Sequence, residues 1–443
     1  MTAPMQWPSL TRRNTTDPML ESAARALLDL SEAYNDVQAQ LAADNRGGLG
    51  GGGRDVFSHQ FLRGKADEAE IVATLNPLIK RGLNLIAAYV WGQGVTVSVR
   101  DEASEGQDVQ AILTGFWDDE LNRSITTPEG QVELERNHGT CGENWLALPT
   151  DPRTGQVWVR QLPFGEVTTI LTDPEDAEAD WFYLREYTIG TTPRKTLYPA
   201  LGFRPAVRPK VFDRQWYADM KRDDLQGVEI RWDSPVRKTQ VNRLGERGIG
   251  DAFASIPWAV AYKEFLEAWH KLMISLARFV WQAKSGRADK AQTVAKQILD
   301  AQERKVQGGT VITDPASGVE AISKSGATFD ADSGRPLATV VAAGLNVPVT
   351  MLLGDPGITG ARATAETLDE PTALIFGLRR QLWTGVYRDI VGYVIDSAVR
   401  AGQLRGTTVR RGNREIVTLP DGDGRTVVVD WPEYDSTSVK DAV

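Results

Sequence analysis

Between Ala252 and Ala283 apolar residues fall at Trp258, Tyr262, Phe265, Trp269, Leu272, Leu276 and Phe279, in steps that alternate between four and three. That spacing returns one side chain per turn to the same seam, so it predicts a long helix packed lengthwise on other helices. Leu266, Met273 and Val280 widen the stripe beyond a two-stranded seam. Pro257 falls in the first turns, where a missing amide hydrogen does least harm. At ~1.5 Å per residue such a helix is about 50 Å long.

The same reading extends along the chain. A helix is expected from Asp17-Pro18 to about Leu41, followed by the linker Gly47-Gly48-Leu49-Gly50-Gly51-Gly52-Gly53, whose glycines do not suit an element interior. A second helical stretch runs from about Asp67 to Trp91, bent or restarted at Pro77, and leads into the alternating strand Val95 to Val99. Residues 107–121 read as a short amphipathic helix. Glu143 to Leu148 and Gln156 to Leu162 read as a hairpin across Asp151-Pro152-Arg153-Thr154-Gly155, with more strands at 166–171, 181–188 and 227–232. The first 240 or so residues are thus mixed α+β.

After the heptad helix comes a polar unit: a helix over 287–305 carrying Arg287, Lys290, Lys296, Arg304 and Lys305, then strands at 309–313 and 319–324. A helix from about Phe329 to Leu345 ends before Pro348. The turn-rich stretch Gly354 to Gly360 opens into a helix from about Arg362 to Ala401, interrupted at Pro371, where a kink is expected. Strands at 407–411, 415–419 and 425–430 follow.

The 443 residues carry 50 basic and 59 acidic side chains, a formal charge of −9, and are 41% hydrophobic. That length allows about two to four domains, and the apolar share excludes a disordered or fibrous chain. An acidic balance argues against a tight grip on nucleic acid, though not against DNA that slides past. No apolar stretch approaches the ~20 residues of a membrane span, and the N-terminus lacks the apolar core of a signal peptide. One cysteine, Cys141, excludes an internal disulfide, and three histidines leave little for a metal site.

Candidate chemistry is sparse. Gly354-x-x-Gly357-x-x-Gly360 suggests a phosphate loop, but Ala361-Arg362 stands where a Walker loop needs Lys-Ser/Thr. His138 and Cys141 lie three apart beside turn-forming glycines, without an evident third group to orient a catalytic pair. Asp118-Asp119 and Asp369-Glu370 lack companions at metal-ligand spacing and read as solvated helix faces. No catalytic residue, metal site or cofactor is expected.

Four stretches, in this order, resemble the portal proteins of tailed double-stranded DNA bacteriophages, siphophage type: Leu78 to Val99, Gly142 to Pro163, Gly248-Ile249-Gly250-Asp251 with the helix to Ala283, and Val347 to Gly354 with the glycine loop and Arg362-Ala363-Thr364-Ala365-Glu366-Thr367. The resemblance implies an α+β portal fold with a mixed wing at 1–248, a first stem helix at 249–283, a small α/β clip at 284–327 and a second stem helix at 328–347. It further implies a tunnel loop at 348–361, a long kinked wing helix at 362–402 and C-terminal strands at 403–443 leading towards a short or missing crown. The DNA-facing loop residues would be Asp355, Gly357, Ile358, Thr359, Gly360 and Arg362. The clip cations Arg287, Lys290, Lys296, Arg304 and Lys305 would meet terminase or an adaptor, and Pro371 would mark the kink.

Family membership implies a homo-oligomeric ring, typically of twelve, at one capsid vertex of the virion, assembled in the host cytoplasm. Its partners would be double-stranded DNA, the terminase large subunit, a head–tail adaptor and the major capsid protein, with no membrane. Twelve chains of −9 total about −108, a lining that holds phosphate weakly. Arg362, Lys284 or Lys290 would supply local phosphate contacts. The alternatives are a nucleotide-dependent nucleic-acid translocase or other DNA-processing enzyme, and a non-viral scaffold built on a helix hairpin.

Overall fold

The computed structural model describes residues 59–99, 107–213, 222–277, 281–285, 317–321, 331–354, 361–420 and 426–432. The chain divides into two compact units, 1–62 and 63–443, and nearly all described residues belong to the second. The helix expected at 17–41, the linker at 47–53, the helix at 287–305 and the strand at 309–313 lie outside the described residues.

Helix α1, His59–Leu75, stops where α2, Pro77–Trp91, begins. The cause of the restart is local: Pro77 offers no amide to α1, and the Asn76 side chain accepts hydrogen bonds from Leu78 N (3.0 Å) and Ile79 N (3.3 Å), capping the new helix. Ile79, Leu83, Ile86, Val90 and Trp91 repeat at helical spacing and form its buried stripe.

Next come β1 (Thr96–Val99), α3 (Val109–Asp118), the single turn α4 (Arg123–Thr126) and α5 (Pro128–Thr140). Strands β2 (Glu143–Ala147) and β3 (Arg160–Leu162) form the expected hairpin, joined by a Thr150–Val157 bridge and Gly155 at φ 69°. β2 is flanked on its other edge by β8 (Val236–Gln240) and is buried along its whole length as the central strand of a three-stranded sheet. A four-stranded sheet runs β4 (Val167–Thr172), β5 (Asp180–Ile189), β6 (Thr192–Pro199), β7 (Glu229–Ile230). Phe182 of β5 meets Phe203, Phe212 and Trp232 edge to face, Phe203 stacks on Trp232, and Trp145 of β2 packs on Tyr183.

Helix α6 covers Ile256–Ala277, shorter than the heptad pattern suggests. Trp281–Ser285, expected as helix up to Ala283, is strand β9, paired antiparallel with β10 (Ser317–Ala321). The strand expected at 319–324 therefore exists two residues earlier, with a different partner. Then come α7 (Arg335–Gly344), α8 (Val349–Leu353) and α9, Ala361–Arg400. Forty residues long, α9 runs unbroken through Pro371, which corrects the expected interruption. A proline deletes one ladder hydrogen bond, a local loss that does not end a helix of this length. From Phe376 onward α9 is the axis of the main core: Trp383, Tyr387, Ile390, Val391, Ile395 and Ala398 are buried against α2, α3 and the β2 region.

β11 (Thr407–Arg411) and β12 (Arg414–Thr418) form a hairpin. β13 (Val427–Asp430) returns to pair with β1, its Val428 opposite Ser98. The last described strand thus pairs with the first and so returns to the body of the chain. The molecule is mixed helix and sheet, with open sheets.

Candidate functional site

The helices α6 and α7 and the approach to the glycine loop make up the candidate site. α6 and α7 pack antiparallel: Gly334 lies under the Phe265 ring, and at the other end Ser255 Oγ donates to Val341 O (3.0 Å) beside Gly344. A side chain at Gly334 would collide with that ring, so glycine sets the helix spacing. This pairing covers only part of the α6 stripe. Ile256 and Ala259 are buried, Tyr262, Phe265, Trp269 and Leu272 are half-buried, and Trp258 and Ile274 are each 45% exposed.

The approach to the glycine loop is anchored. α8 ends on Gly354 at φ 67°, a left-handed cap whose amide donates to Thr350 O. Arg81 Nε of α2 donates to Met351 O at 2.9 Å, and Tyr89 OH to Met351 Sδ at 3.4 Å. Beyond the loop, α9 carries Leu374 and Leu378, both 67% exposed, with Ile375 beside them at 40%. These three lie on one helical face. Ile375 and Leu378 line an open groove of about 320 Å³ together with Ile86, Leu345, Phe376 and Leu382.

A buried ionic cluster locks that part of α9 to the body. Glu135 of α5 accepts from Arg379 Nε (2.6 Å) and Trp383 Nε1 (2.6 Å). Arg379 also pairs with Asp251, whose other oxygen accepts from Asn242 Nδ2 at 2.8 Å. Burial alone would raise the Glu135 pKa, yet the Arg379 charge and the bonds from His138 and Trp383 outweigh it and hold the group at about 2. Asp251 arrives in the Gly248–Asp251 turn, which lies backbone to backbone on residues 139–142. A side chain at Gly250 would strike the Thr140 carbonyl, one at Gly248 the Gly142 carbonyl. Those glycines, singled out in the sequence, serve close approach.

A second buried pair sits nearby. Glu143 Oε1 accepts from Gly248 N (2.6 Å) and Gln240 Nε2 (2.8 Å), and Glu143 Oε2 lies 3.3 Å from Arg247 NH1. Burial dominates both partners, pushing the Glu143 pKa up and the Arg247 pKa down.

The His138–Cys141 pair does not form. His138 is wholly buried in the last turn of α5, its Nε2 2.7 Å from Thr239 Oγ1, and burial holds its pKa below the ordinary value. Cys141 Sγ instead contacts Thr140 Oγ1 and Glu70 Oε1, each at 3.6 Å, and burial, with the Glu70 charge adding, pushes the thiol up to about 12. A thiol held protonated is no nucleophile at neutral pH. Asp119, expected on a solvated face, takes hydrogen bonds from Leu121 N, Gln156 Nε2 and Trp158 Nε1, tying α3 to the β2–β3 turn. Among the described residues no group of His, Cys, Asp and Glu could hold a metal ion, and no helix is long and apolar enough to cross a membrane.

Of the residues named from sequence, Asp355, Gly357, Ile358, Thr359 and Gly360 lie outside the described residues, as do Arg287, Lys290, Lys296, Arg304 and Lys305. Arg362 stands in the first turn of α9 and Pro371 within it. Sequence reasoning missed the Glu135–Arg379–Asp251 cluster and the exposed α9 face. The face had a visible signal, Leu374-Ile375 and Leu378 one turn apart.

No protein-family model matches the chain, and no curated protein does. Among solved structures, the chain is similar in fold to the neck of a native gene transfer agent particle computed with C12 symmetry (14% identity, TM-score 0.43, 74% of this chain and 81% of that one). It is similar also to the neck of an empty gene transfer agent particle computed with C6 symmetry (14%, 0.48, 84% and 87%) and to the virion of a native gene transfer agent particle (14%, 0.46, 91% and 91%). At that identity and with TM-scores below 0.5, the likeness carries no functional conclusion.

Proposed function

We propose that the chain is a portal protein of a tailed phage or phage-like particle: a subunit of a ring at one capsid vertex, the conduit for DNA entering and leaving, and the docking point for terminase, a head–tail adaptor and the major capsid protein. The observation that carries this reading is the apolar surface left open on two helices, one earlier in the chain than the glycine loop and one directly after it: Trp258 and Ile274 on α6, Leu374, Ile375 and Leu378 on α9. Fully burying one such side chain stabilises an association by ~1.5–3 kcal/mol. Two different faces, one before and one after the loop, suit a head-to-tail contact, which closes into a ring when the rotation permits.

In this arrangement the loop 355–360 and Arg362 face the passage, the cations Arg287 to Lys305 face the motor, and Pro371 is where α9 would kink. A net charge of −9 per chain leaves the passage slippery for phosphate. The test is the solution mass of the chain against a Leu374→Ser/Leu378→Ser variant. Wild-type chain assembles, and the variant, as stable as the parent, stays smaller. A wild-type chain that is monomeric at every concentration, or ATP turnover by the chain alone, overturns the proposal.

A further inference from the structure

An open cleft of about 830 Å³ is walled by the 173–183 segment, the C-terminal half of α9 and the β11–β12 hairpin. Its walls carry opposite charge. On one side Arg204 and Arg400 both stack on the Tyr393 ring, their guanidinium carbons 5.1 and 5.7 Å from its centre. Glu415 is the shared counter-charge there, paired with Arg208 and Arg410 and 3.4 Å from Arg400 Nε. Arg400 has Asp396 as well, at 3.7 Å. Arg204 acts on Glu415 through its charge, and Arg388, Arg411 and Arg414, which line the same cleft and are exposed, have no ion pair with a carboxylate among the described residues.

Arg208, Arg400 and Arg410 thus share Glu415 and Asp396, while Arg204, Arg388, Arg411 and Arg414 add further positive charge to the same wall. The excess is felt locally: burial, and then the charge of Arg204, hold the Arg400 pKa below its ordinary value. The facing lip is acidic. Asp173, Asp176 and Glu178 line it, and none has a cation partner among the described residues. Asp173 and Asp176 instead accept from Glu175 N and Glu178 N, each at 3.0 Å, which fixes the turn and leaves the charge outward. The two remaining acids on the floor are already matched, Asp180 by Lys238 at 2.7 Å and Asp389 by Arg237 at 2.6 Å.

We propose that this cleft is a docking site for a mixed-charge protein segment, its acidic side chains received by Arg204, Arg411 and Arg414 and its basic side chains by Asp173, Asp176 and Glu178. Nucleic acid fits less well. A duplex presents one negative charge per ~1.7 Å without interruption, so the acidic lip would repel it wherever the arginines attract it. A polypeptide can alternate sign within the span of the cleft, and complementary potentials of this kind set partner choice. The proposal stands on these side chains and does not depend on the portal reading.

The experiment titrates the full chain with a short labelled peptide that has a glutamate block at one end and a lysine block at the other. An all-glutamate peptide and a short DNA duplex are run alongside. Saturable binding of the mixed peptide is expected, weakening as salt rises. Arg411→Gln/Arg414→Gln should weaken it about ten-fold, the change that 1.4 kcal/mol produces. Asp176→Asn/Glu178→Gln should weaken the mixed peptide yet tighten the all-glutamate one, an opposition of sign that general stickiness does not give. All four positions are exposed, so folding is retained. No saturable binding, variants without effect, or a duplex that outcompetes the mixed peptide would each overturn the proposal.

Discussion

Replacing Arg379 by Met tests whether the ionic cluster fastens α9 to the body. In the native chain Arg379 faces two carboxylates, Glu135 with 1% and Asp251 with 7% of its side chain exposed. Removing the guanidinium leaves both buried without their counter-charge, a loss of about 3–5 kcal/mol by analogy with other broken buried pairs. The Glu135 pKa gives an independent gauge. A fall from 4.5 to about 2 corresponds to roughly 3 kcal/mol favouring the ionised form in the folded chain. In the variant, burial is opposed only by the bonds from His138 and Trp383, and the Glu135 pKa should rise from about 2. The measurement is denaturant unfolding of parent and variant across pH. Because the native pKa is depressed, its stabilisation is complete above about 4.5 and fades as pH falls towards about 2, and Arg379→Met should abolish that slope. Arg379→Met/Glu135→Gln should recover part of the loss. A single variant within about 1 kcal/mol of the parent, with the acid slope intact, refutes the reasoning.

Three further outcomes follow from the packing. His138 is buried with a pKa below 6.5, so the unfolded chain takes up the proton first and stability should drop as pH falls below about 6.5; His138→Asn should flatten that part of the curve in the same unfolding assay. Gly250→Ala puts a methyl group into the Thr140 carbonyl and should destabilise by more than about 2 kcal/mol, whereas Gly115→Ala, with open space around it in α3, should stabilise by about 0.5–1 kcal/mol; thermal melts of the two variants check both signs. Cys141, buried with its pKa near 12, should resist alkylation in the native chain at mildly alkaline pH and react once the chain is unfolded, read by mass spectrometry.

Local signals carried much of the fold in advance. The restart at Pro77 was legible because Asn-Pro is both a stop and a cap, and the β2–β3 hairpin because Asp151 to Gly155 is a turn in composition as well as in fact. α5 was not, since its buried positions include Gln131, Glu135 and His138, and polar residues leave no apolar stripe to read. Its one local mark is Thr127 before Pro128, a cap followed by proline at the first helical position. The end of α6 was overrun because the heptad pattern continues to Phe279 just before β9 begins. The pairing of β1 with β13 and the meeting of Arg379 with residues 128 and 244 positions away have no local signature at all. Periodicity reports which face of an element is apolar, and charge partners across the fold are chosen by packing that periodicity does not encode.

The sharpest single measurement is electron microscopy of the purified chain on its own. A closed ring with an open centre, the Gly354–Ala361 connection on its inner wall and the Leu374–Leu378 face covered by the neighbouring subunit, is the expected image. Isolated subunits, or rings whose glycine loop points to the outer rim, contradict it.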